Sequence, residues 1–288
     1  MTETMAAAGP LTSLYVPGDR SDRFSKALTS DADEVILDLE DAVAPGHKAE
    51  ARQAVATFLG DRHPKSVQVR INGLESPWGL DDLGAVVSQP GLAGIRLPKV
   101  EAPETIRRVA EQLPVNRSIG IHLLIETALG VEDAFELAKA DPRVASIALG
   151  EADLRSDLNV SDERGLTWAR GRIVVAARAA GLQAPQMSVF ADLADDNGLA
   201  ASCREGRAFG FLGRAAIHPR QVPIIESAFM PTPAEVADAE RLLDDLAAAL
   251  EAGHGAYVLP DGRFVDQAMA GRARTVVALG ARRTRTDL

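Results

Sequence analysis

Apolar residues recur along the chain in two alternating rhythms. Short, nearly continuous apolar runs occupy 14–17 (LYVP), 35–40 (VILDLE), 67–71 (VQVRI), 94–99 (GIRLPK), 120–126 (GIHLLIE), 146–150 (SIALG), 187–190 (MSVF) and 209–213 (FGFLG). Runs of this kind predict strands buried on both faces, the habit of parallel sheets. Between them lie stretches with helical spacing, such as AEARQAVATFL, PETIRRVAEQL, VEDAFELAKA and ARGRIVVAARAAG. Their apolar positions fall on one face of a helix. Strand followed by helix, eight times over, fits an α/β chain folded as a (β/α)8 TIM barrel, which takes about 250 residues. The competing arrangement is an open doubly wound sheet. Its GxGxxG fingerprint is missing after the first run, where the chain reads VPGDRSDR, so the barrel is favoured. The barrel is assigned to residues 13–229, and residues 1–12 to a disordered N-terminus.

The rhythm changes near Met230. Thr232-Pro233-Ala234-Glu235 has capping-box spacing with proline at the first helical position. A long helical pattern follows, AEVADAERLLDDLAAALEA, and Gly253 is placed to end it. AYVLPDGRFVD then reads as a hairpin around Pro260-Asp261-Gly262. A last helix is expected from Gln267 to Leu279, ahead of the basic tail ARRTRTDL. Residues 230–288 are therefore expected to form a C-terminal helix–hairpin–helix extension, packed on the barrel or reaching over a neighbour as a lid.

Composition narrows the classes. The 288 residues are 46% hydrophobic and carry a net charge of −10. No basic stripe is present, which argues against nucleic acid as a partner. An anionic ligand has to be held by local arginines or by a cation. Cys203 is the only cysteine, so neither an internal disulfide nor a cysteine-based zinc site can form. No apolar run approaches a membrane span, and MTETMAAAGP lacks the basic start of a signal peptide. The expectation is a soluble, cytoplasmic protein with no membrane partner.

Chemistry concentrates where the strands end, the face on which such barrels carry their active sites. The first run ends in Asp19 and Arg20, the second in Asp38, Glu40 and Asp41, and the third in Arg70 and Asn72. The fourth ends in Lys99, the fifth in Glu126 and Thr127, and the sixth in Glu151 and Asp153. Buried carboxylates are costly unless paired, hydrogen-bonded or bound to a metal. Glu126 and Asp153, with Asp38, Glu40 and Asp41 across the mouth, make an oxygen-rich pocket suited to Mg2+ or Mn2+. The competing reading makes these acids structural ion pairs with Arg70, Arg96 and Lys99. Arg70 suits a carboxylate, which it can grip with two hydrogen bonds. Lys99 at a barrel mouth also admits a class I aldolase with a Schiff base. His122 lies inside its strand, His218 reads as a loop cap, and His47, His63 and His254 read as surface residues. Cys203 reads as packing.

In order along the chain, LYVPGDRSDRFSKAL, VILDLEDAVAPGHKAEAR, VRING, RLPKVE, LLIETALG, LGEADL, AAIHPRQ and DGRFVD resemble the citrate lyase β-subunit-like family of the HpcH/HpaI aldolase group, which includes malyl-CoA lyases. The resemblance runs from about Ser13 to Arg274. It implies a TIM barrel, a homotrimer or hexamer, that cleaves or forms a C–C bond beside a thioester carried on coenzyme A or an acyl carrier protein. The products implied are a 2-keto acid, oxaloacetate or glyoxylate, and an acetyl-type thioester. It makes Glu126 and Asp153 the Mg2+ ligands and gives keto-acid binding to Arg70 and Glu126. Glu40 and Asp41 match acids that hold metal-bound waters, with Asp38 paired to a nearby cation and Lys99 in support. Asp266 matches an acid brought over a neighbouring subunit's site, where it and Arg70 serve catalysis. Citrate lyase α and γ subunits are implied partners.

The chain departs from that pattern at Thr12, where many relatives carry arginine, and at Gly213-Arg214, where GK is common. It also departs in Ala184–Ser188, which lacks a frequent aspartate. These differences bear on the thioester carrier more than on the metal site. Besides the lyase and the aldolase stands a third expectation, a non-catalytic subunit that only binds carrier protein or keto acid.

Overall fold

A computed structural model describes residues 9–253, 256–258, 264–266 and 269–286. Gly9–Phe229 forms one compact unit, and the segment from Met230 onward belongs to another. No helix among the described residues is long and apolar enough to cross a membrane.

The first unit holds seven parallel strands: β1 (Thr12–Pro17), β2 (Glu34–Asp38), β3 (Ser66–Arg70), β4 (Gly94–Leu97), β5 (Gly120–Ile125), β6 (Val144–Leu149) and β7 (Arg214–Ala216). They pair in the order β6-β5-β4-β3-β2-β1-β7. The connecting helices are α1 (Phe24–Leu28), α2 (Lys48–Phe58), α3 (Gly79–Val86), α4 (Pro103–Gln112), α5 (Ala128–Glu132), α6 (Ala134–Ala138), α7 (Glu151–Asp157), α8 (Thr167–Ala179), α9 (Asp196–Phe209) and α10 (Val222–Phe229). Helix α1 packs on β2, α6 and α8 on β6, and α10 on β1. Covered on both sides, β2 is buried along its whole length, with no exposed area on Val35, Ile36 or Leu37. That double burial is why its sequence is a continuous apolar run.

Two of the eight expected strands are corrected. Residues 209–213 form no strand: Phe209 is the last residue of α9, and Gly210 and Gly213 turn at φ 100° and 84°. This left-handed backbone suits glycine and breaks extended pairing, so the strand starts only at Arg214. At 187–190, Met187 alone pairs, in a single bridge to Arg214. Met187 N–H donates to Gly213 O at 2.9 Å, and Ala215 N–H to Met187 O at 3.1 Å. With β7 only three residues long, little edge is left for a longer ladder. Glu151 N–H donates to Ser188 Oγ at 3.4 Å, which brings this segment beside the end of β6. The paired sheet thus runs from β6 through β1 to β7 and the Met187 bridge, a TIM-barrel-like α/β fold.

The turn after β2 is fastened from beneath. Lys48, 5% exposed, donates from Nζ to Leu39 O (2.8 Å), Glu40 O (2.7 Å) and Asn72 Oδ1 (2.8 Å). Asn72 Nδ2 donates to Leu39 O at 2.8 Å and to Asp82 Oδ2 at 2.6 Å. Asp82 also accepts from Arg52 Nε at 2.7 Å. Every donor of the buried ammonium is satisfied, the condition for burying it at tolerable cost.

In the second unit, α11 (Pro233–Glu251) starts with a complete capping box. Thr232 Oγ1 accepts from Glu235 N–H at 3.2 Å, and Glu235 Oε2 accepts from Thr232 N–H at 2.7 Å. Gly253, at φ 80°, follows the helix end. Strands β8 (Ala256–Val258) and β9 (Phe264–Asp266) pair antiparallel. The expected Pro260-Asp261-Gly262 turn lies outside the described residues. Helix α12 (Ala270–Thr286) starts three residues later than expected and continues beyond Leu279. Ala270 packs with Leu242, Leu243 and Leu246 of α11.

Candidate active site

The strand register assembles the site. Pro17, Asp38, Arg70, Arg96, His122 and Ser146 are successive cross-strand neighbours from β1 to β6. His122 and Ser146 lie mid-strand in β5 and β6, whereas Arg96 is one residue short of the end of β4 and Pro17, Asp38 and Arg70 end their strands at the mouth. A cavity of 460 Å3 opens there, lined among others by Tyr15, Asp38, Arg70, Arg96, Glu126 and Asp153.

Asp38 has two tasks. Its Oδ1 accepts from Glu40 N–H at 2.9 Å and its Oδ2 from Ala42 N–H at 3.3 Å, which closes the turn. The same oxygens take Arg70 Nε at 2.7 Å and Nη2 at 2.5 Å, a two-pronged ion pair. Arg70 Nη1 lies 2.8 Å from Glu40 Oε2 and 3.1 Å from Asp41 Oδ2. Burial works against the Arg70 charge, but the hydrogen-bonded Asp38 and nearby Glu40 outweigh it and raise its pKa.

Lys99 bridges the two acidic walls. Its Nζ lies 2.7 Å from Glu40 Oε1, 3.9 Å from Asp41 Oδ1 and 3.6 Å from Asp153 Oδ1. Its backbone sits at φ 51°, a conformation that costs a non-glycine residue roughly 1–2 kcal/mol. In that conformation its N–H donates to Glu126 Oε1 at 2.8 Å. Burial opposes the Lys99 charge, while Glu40, Glu126 and Asp41 together hold its pKa above the ordinary lysine value. A firmly protonated amine is a poor Schiff-base nucleophile. Borohydride added with pyruvate is therefore expected to leave the mass of the protein unchanged, and an adduct on Lys99 in mass spectrometry would contradict this.

Glu126, 2% exposed, follows β5. Burial, then the charges of Glu40 and Asp153, push its pKa up to about 8, against the pull of Lys99. Gly150 leaves it room: a Cβ there would stand 2.1 Å from Glu126 Oε2. Glu40 is also buried, and burial raises its pKa. Its Oε2 lies close to Arg70 but outside hydrogen-bonding direction, so this buried oxygen accepts no hydrogen bond. The carboxylates of Asp38, Glu40, Asp41, Glu126 and Asp153 thus share two basic groups, Arg70 and Lys99. Among the described residues no three His, Cys, Asp or Glu side chains converge as a ready metal cage. Mg2+ does not require one, since it is usually held by one or two carboxylates with water and substrate.

The structure brings together Asp38, Glu40, Asp41, Arg70, Lys99, Glu126 and Asp153. Asp266 lies in β9, and its side chain is outside the described residues. His218 Nδ1 accepts from Arg220 N–H at 3.2 Å, a loop cap. Cys203 is buried in α9. His63 is half-buried, stacked on Phe58 and bonded to its carbonyl rather than free on the surface. His254 is outside the described residues. Sequence reading undervalued Arg96, which lines the cavity rather than serving only as an ion-pair partner. A lone charge between Ile95 and Leu97, both without exposed area, is the signal: side chains alternate along a strand, so Arg96 faces the barrel interior.

The profile of the HpcH/HpaI aldolase/citrate lyase family matches residues 11–219. A citrate lyase subunit beta-like protein of Deinococcus radiodurans is 38% identical, over 92% of this chain and 95% of its own. Two proteins of Cereibacter sphaeroides, a (3S)-malyl-CoA thioesterase and an L-malyl-CoA/beta-methylmalyl-CoA lyase, are 34% and 33% identical, each over 92% of both chains. The crystal structure of protein CitE from Mycobacterium tuberculosis in complex with magnesium, acetoacetate and coenzyme A superposes with a TM-score of 0.79. It is 32% identical, over 96% of this chain and 99% of that one. With the fold, the family profile and full-length relatives in agreement, this chain belongs to the HpcH/HpaI aldolase/citrate lyase family of carbon–carbon lyases.

Proposed function

We propose that the chain is a Mg2+-dependent lyase that cleaves a citryl- or malyl-type acyl thioester to a 2-keto acid and an acetyl-type thioester. The observation that carries this reading is the surplus of carboxylate at the mouth, with buried Glu126 pushed up to about 8 and buried Glu40 Oε2 without a hydrogen bond. Crowding these carboxylates around two basic groups is expensive, and a divalent cation answers it. Glu126 and Asp153 would hold Mg2+ directly, with Glu40 and Asp41 on its waters. Mn2+ fits the same oxygen donors. The bound cation would lower the pKa of a coordinated hydroxyl and neutralise a developing keto acid.

The chain's own groups do the rest. Arg70, fixed by Asp38, presents a guanidinium that cannot lose its charge. Its remaining donor capacity grips the carboxylate of the departing keto acid, favouring the transition state in which that acid forms. Lys99 holds Glu40 and, through its backbone N–H, Glu126, so both carboxylates stay aimed at the mouth. Asp266, contributed by a neighbouring copy in a trimer or hexamer, exchanges the proton with the thioester α-carbon. The segment 230–288 covers the pocket during turnover. The thioester is carried by coenzyme A or by an acyl carrier protein. The latter would make the chain a citrate lyase β subunit working with α and γ subunits.

The relatives support a coenzyme A thioester as substrate, but a hydrolase stands among them. The assay is therefore keto acid release from citryl-, malyl- and citramalyl-CoA, before and after EDTA. Activity should vanish with the chelator and return with Mg2+. Unchanged activity in metal-free protein would sink the reading.

The raised pKa of Glu126 adds a pH dependence with a definite sign. Its folded value, about 8, lies above the ordinary 4.5, so the metal-free fold favours the protonated form. The stability it contributes is full below about 4.5 and lost as pH rises through about 8. A cation must displace that proton, so Mg2+ affinity should climb with pH up to about 8 and then level off. Calorimetry in buffers of different ionisation heat should detect proton release. A flat affinity between pH 6 and about 8 would contradict it.

A further inference from the structure

Arg96 is a buried cation that lines the cavity, and its paired carboxylate, Glu34, stands beyond hydrogen-bond distance. It is 4% exposed and stands next to Arg70 in the β3–β4 register. Two guanidinium groups side by side repel unless anions draw them. Arg70 has its anions in Asp38, Glu40 and Asp41. The carboxylate paired with Arg96 is not so close. Its Nε and Nη2 donate to one neutral oxygen, Gln68 Oε1, at 3.2 and 3.0 Å. The nearest carboxylate oxygen paired with it is Glu34 Oε1, at 3.9 Å. Glu34 is already engaged by Ser13 Oγ at 2.5 Å and by Gln68 Nε2 at 2.8 Å.

The other neighbours bring no negative charge. His122 follows Arg96 in the register, and burial and the Arg96 charge lower its pKa to about 3, so it is neutral. The Tyr15 ring lies 5.2 Å from the Arg70 guanidinium carbon and 6.0 Å from that of Arg96. A neutral ring at these distances attracts both cations but brings no negative charge. Among the described residues Nη1 of Arg96 makes no hydrogen bond, yet the residue lines the cavity. Buried arginines of this kind are built to receive a carboxylate.

Resting on the keto acid reading above, we propose that Arg96 is a specificity-determining residue that binds the second carboxylate of a dicarboxylic keto acid. The substrate class is then a citryl-type thioester yielding oxaloacetate, rather than a malyl-type thioester yielding glyoxylate. One carboxylate and the keto oxygen sit on the Arg70–Glu126–Asp153 side, and the other reaches down to Arg96. Adjacent strands are about 4.8 Å apart, a spacing that suits the two carboxylates of a four-carbon diacid. The 460 Å3 cavity falls within the ordinary range for small-molecule sites, about 300–1,000 Å3.

The test is isothermal titration calorimetry with Mg2+ present, using oxaloacetate and pyruvate, which differ by one carboxylate. The unaltered protein should bind oxaloacetate at least about tenfold more tightly. Arg96→Gln should weaken oxaloacetate about 10–100-fold and leave pyruvate within about twofold. Arg96→Lys keeps the charge and loses the fork. It should fall between the two proteins for oxaloacetate and match both for pyruvate, and it stands in if the glutamine variant does not fold. Equal loss for both acids, no loss for either, or no preference in the unaltered protein would overturn this assignment while the keto acid reading stands. Failure of both acids to bind the unaltered protein would overturn the two together.

Discussion

Glu126→Gln should lower thioester cleavage by about a thousandfold, the size of effect seen when a principal electrostatic group leaves an active site. The substitution keeps the shape and the acceptor oxygen for Lys99 N–H, now at 2.8 Å from Glu126 Oε1. What it removes is the charge whose pKa burial and the neighbouring acids push up to about 8. Folding should not suffer, because a buried carboxylate crowded by Glu40 and Asp153 is a liability in the metal-free protein. A thermal melt without metal should show a midpoint equal to or above that of the unaltered chain. The pair of outcomes separates a metal ligand from a structural ion pair. Structural pairing would give the reverse, with retained turnover and a lower melting point.

The largest loss of stability is expected from Lys48→Met. The ammonium holds Leu39 O, Glu40 O and Asn72 Oδ1, all within 2.8 Å. A methionine fills the space and donates nothing. Leu39 O keeps Asn72 Nδ2 and Glu40 O keeps Val43 N–H, but Asn72 Oδ1 loses the donor shown for it. The surrounding acids also lose a nearby positive charge. A buried acceptor left unsatisfied costs about 1–3 kcal/mol, and breaking a buried charged network about 3–5 kcal/mol. The unsatisfied acceptor belongs to that network, so the loss should come to about 3–5 kcal/mol in urea denaturation. Activity should fall as well, because the same three bonds fix the turn that carries Glu40. A loss under about 1 kcal/mol would mean that the Asn72–Asp82 pair alone fastens this turn.

Much of the barrel is legible in the chain because parallel strands are buried twice over. VILDLE and SIALG announce themselves as unbroken apolar runs, and the acids after them fall at the strand ends by the same logic. The seventh and eighth positions mislead for a physical reason. FGFLG is apolar because it closes a helix and turns into the core, where Phe211 is buried, and its glycines make an extended strand unfavourable. MSVF reads as a short strand, yet only Met187 forms a β-bridge.

Within the site, Asp38, Arg70 and Lys99 could be named from the chain, but their connections could not. That Asp38 holds both its own turn and Arg70, or that Lys99 adopts φ 51° to reach Glu126, depends on cross-strand register and on one backbone conformation. Lys48 lies in a helix and Asp82 in another, and nothing local in either segment signals that they meet under the turn after β2. Arg96 was visible as a lone charge in an apolar strand. That its paired carboxylate, Glu34, stays 3.9 Å away, while its other neighbours are a glutamine, a neutral histidine and a tyrosine ring, emerges only from the cross-strand packing.

The most direct measurement follows citryl-CoA through one reaction while two products are read together: keto acid, and free coenzyme A thiol. Cleavage of the C–C bond leaves the thioester intact, so keto acid should appear with Mg2+ present and free thiol should not. EDTA should abolish the signal. Free thiol without keto acid would show a thioesterase, and keto acid release that persists without metal would show that the carboxylates at the barrel mouth serve some other purpose.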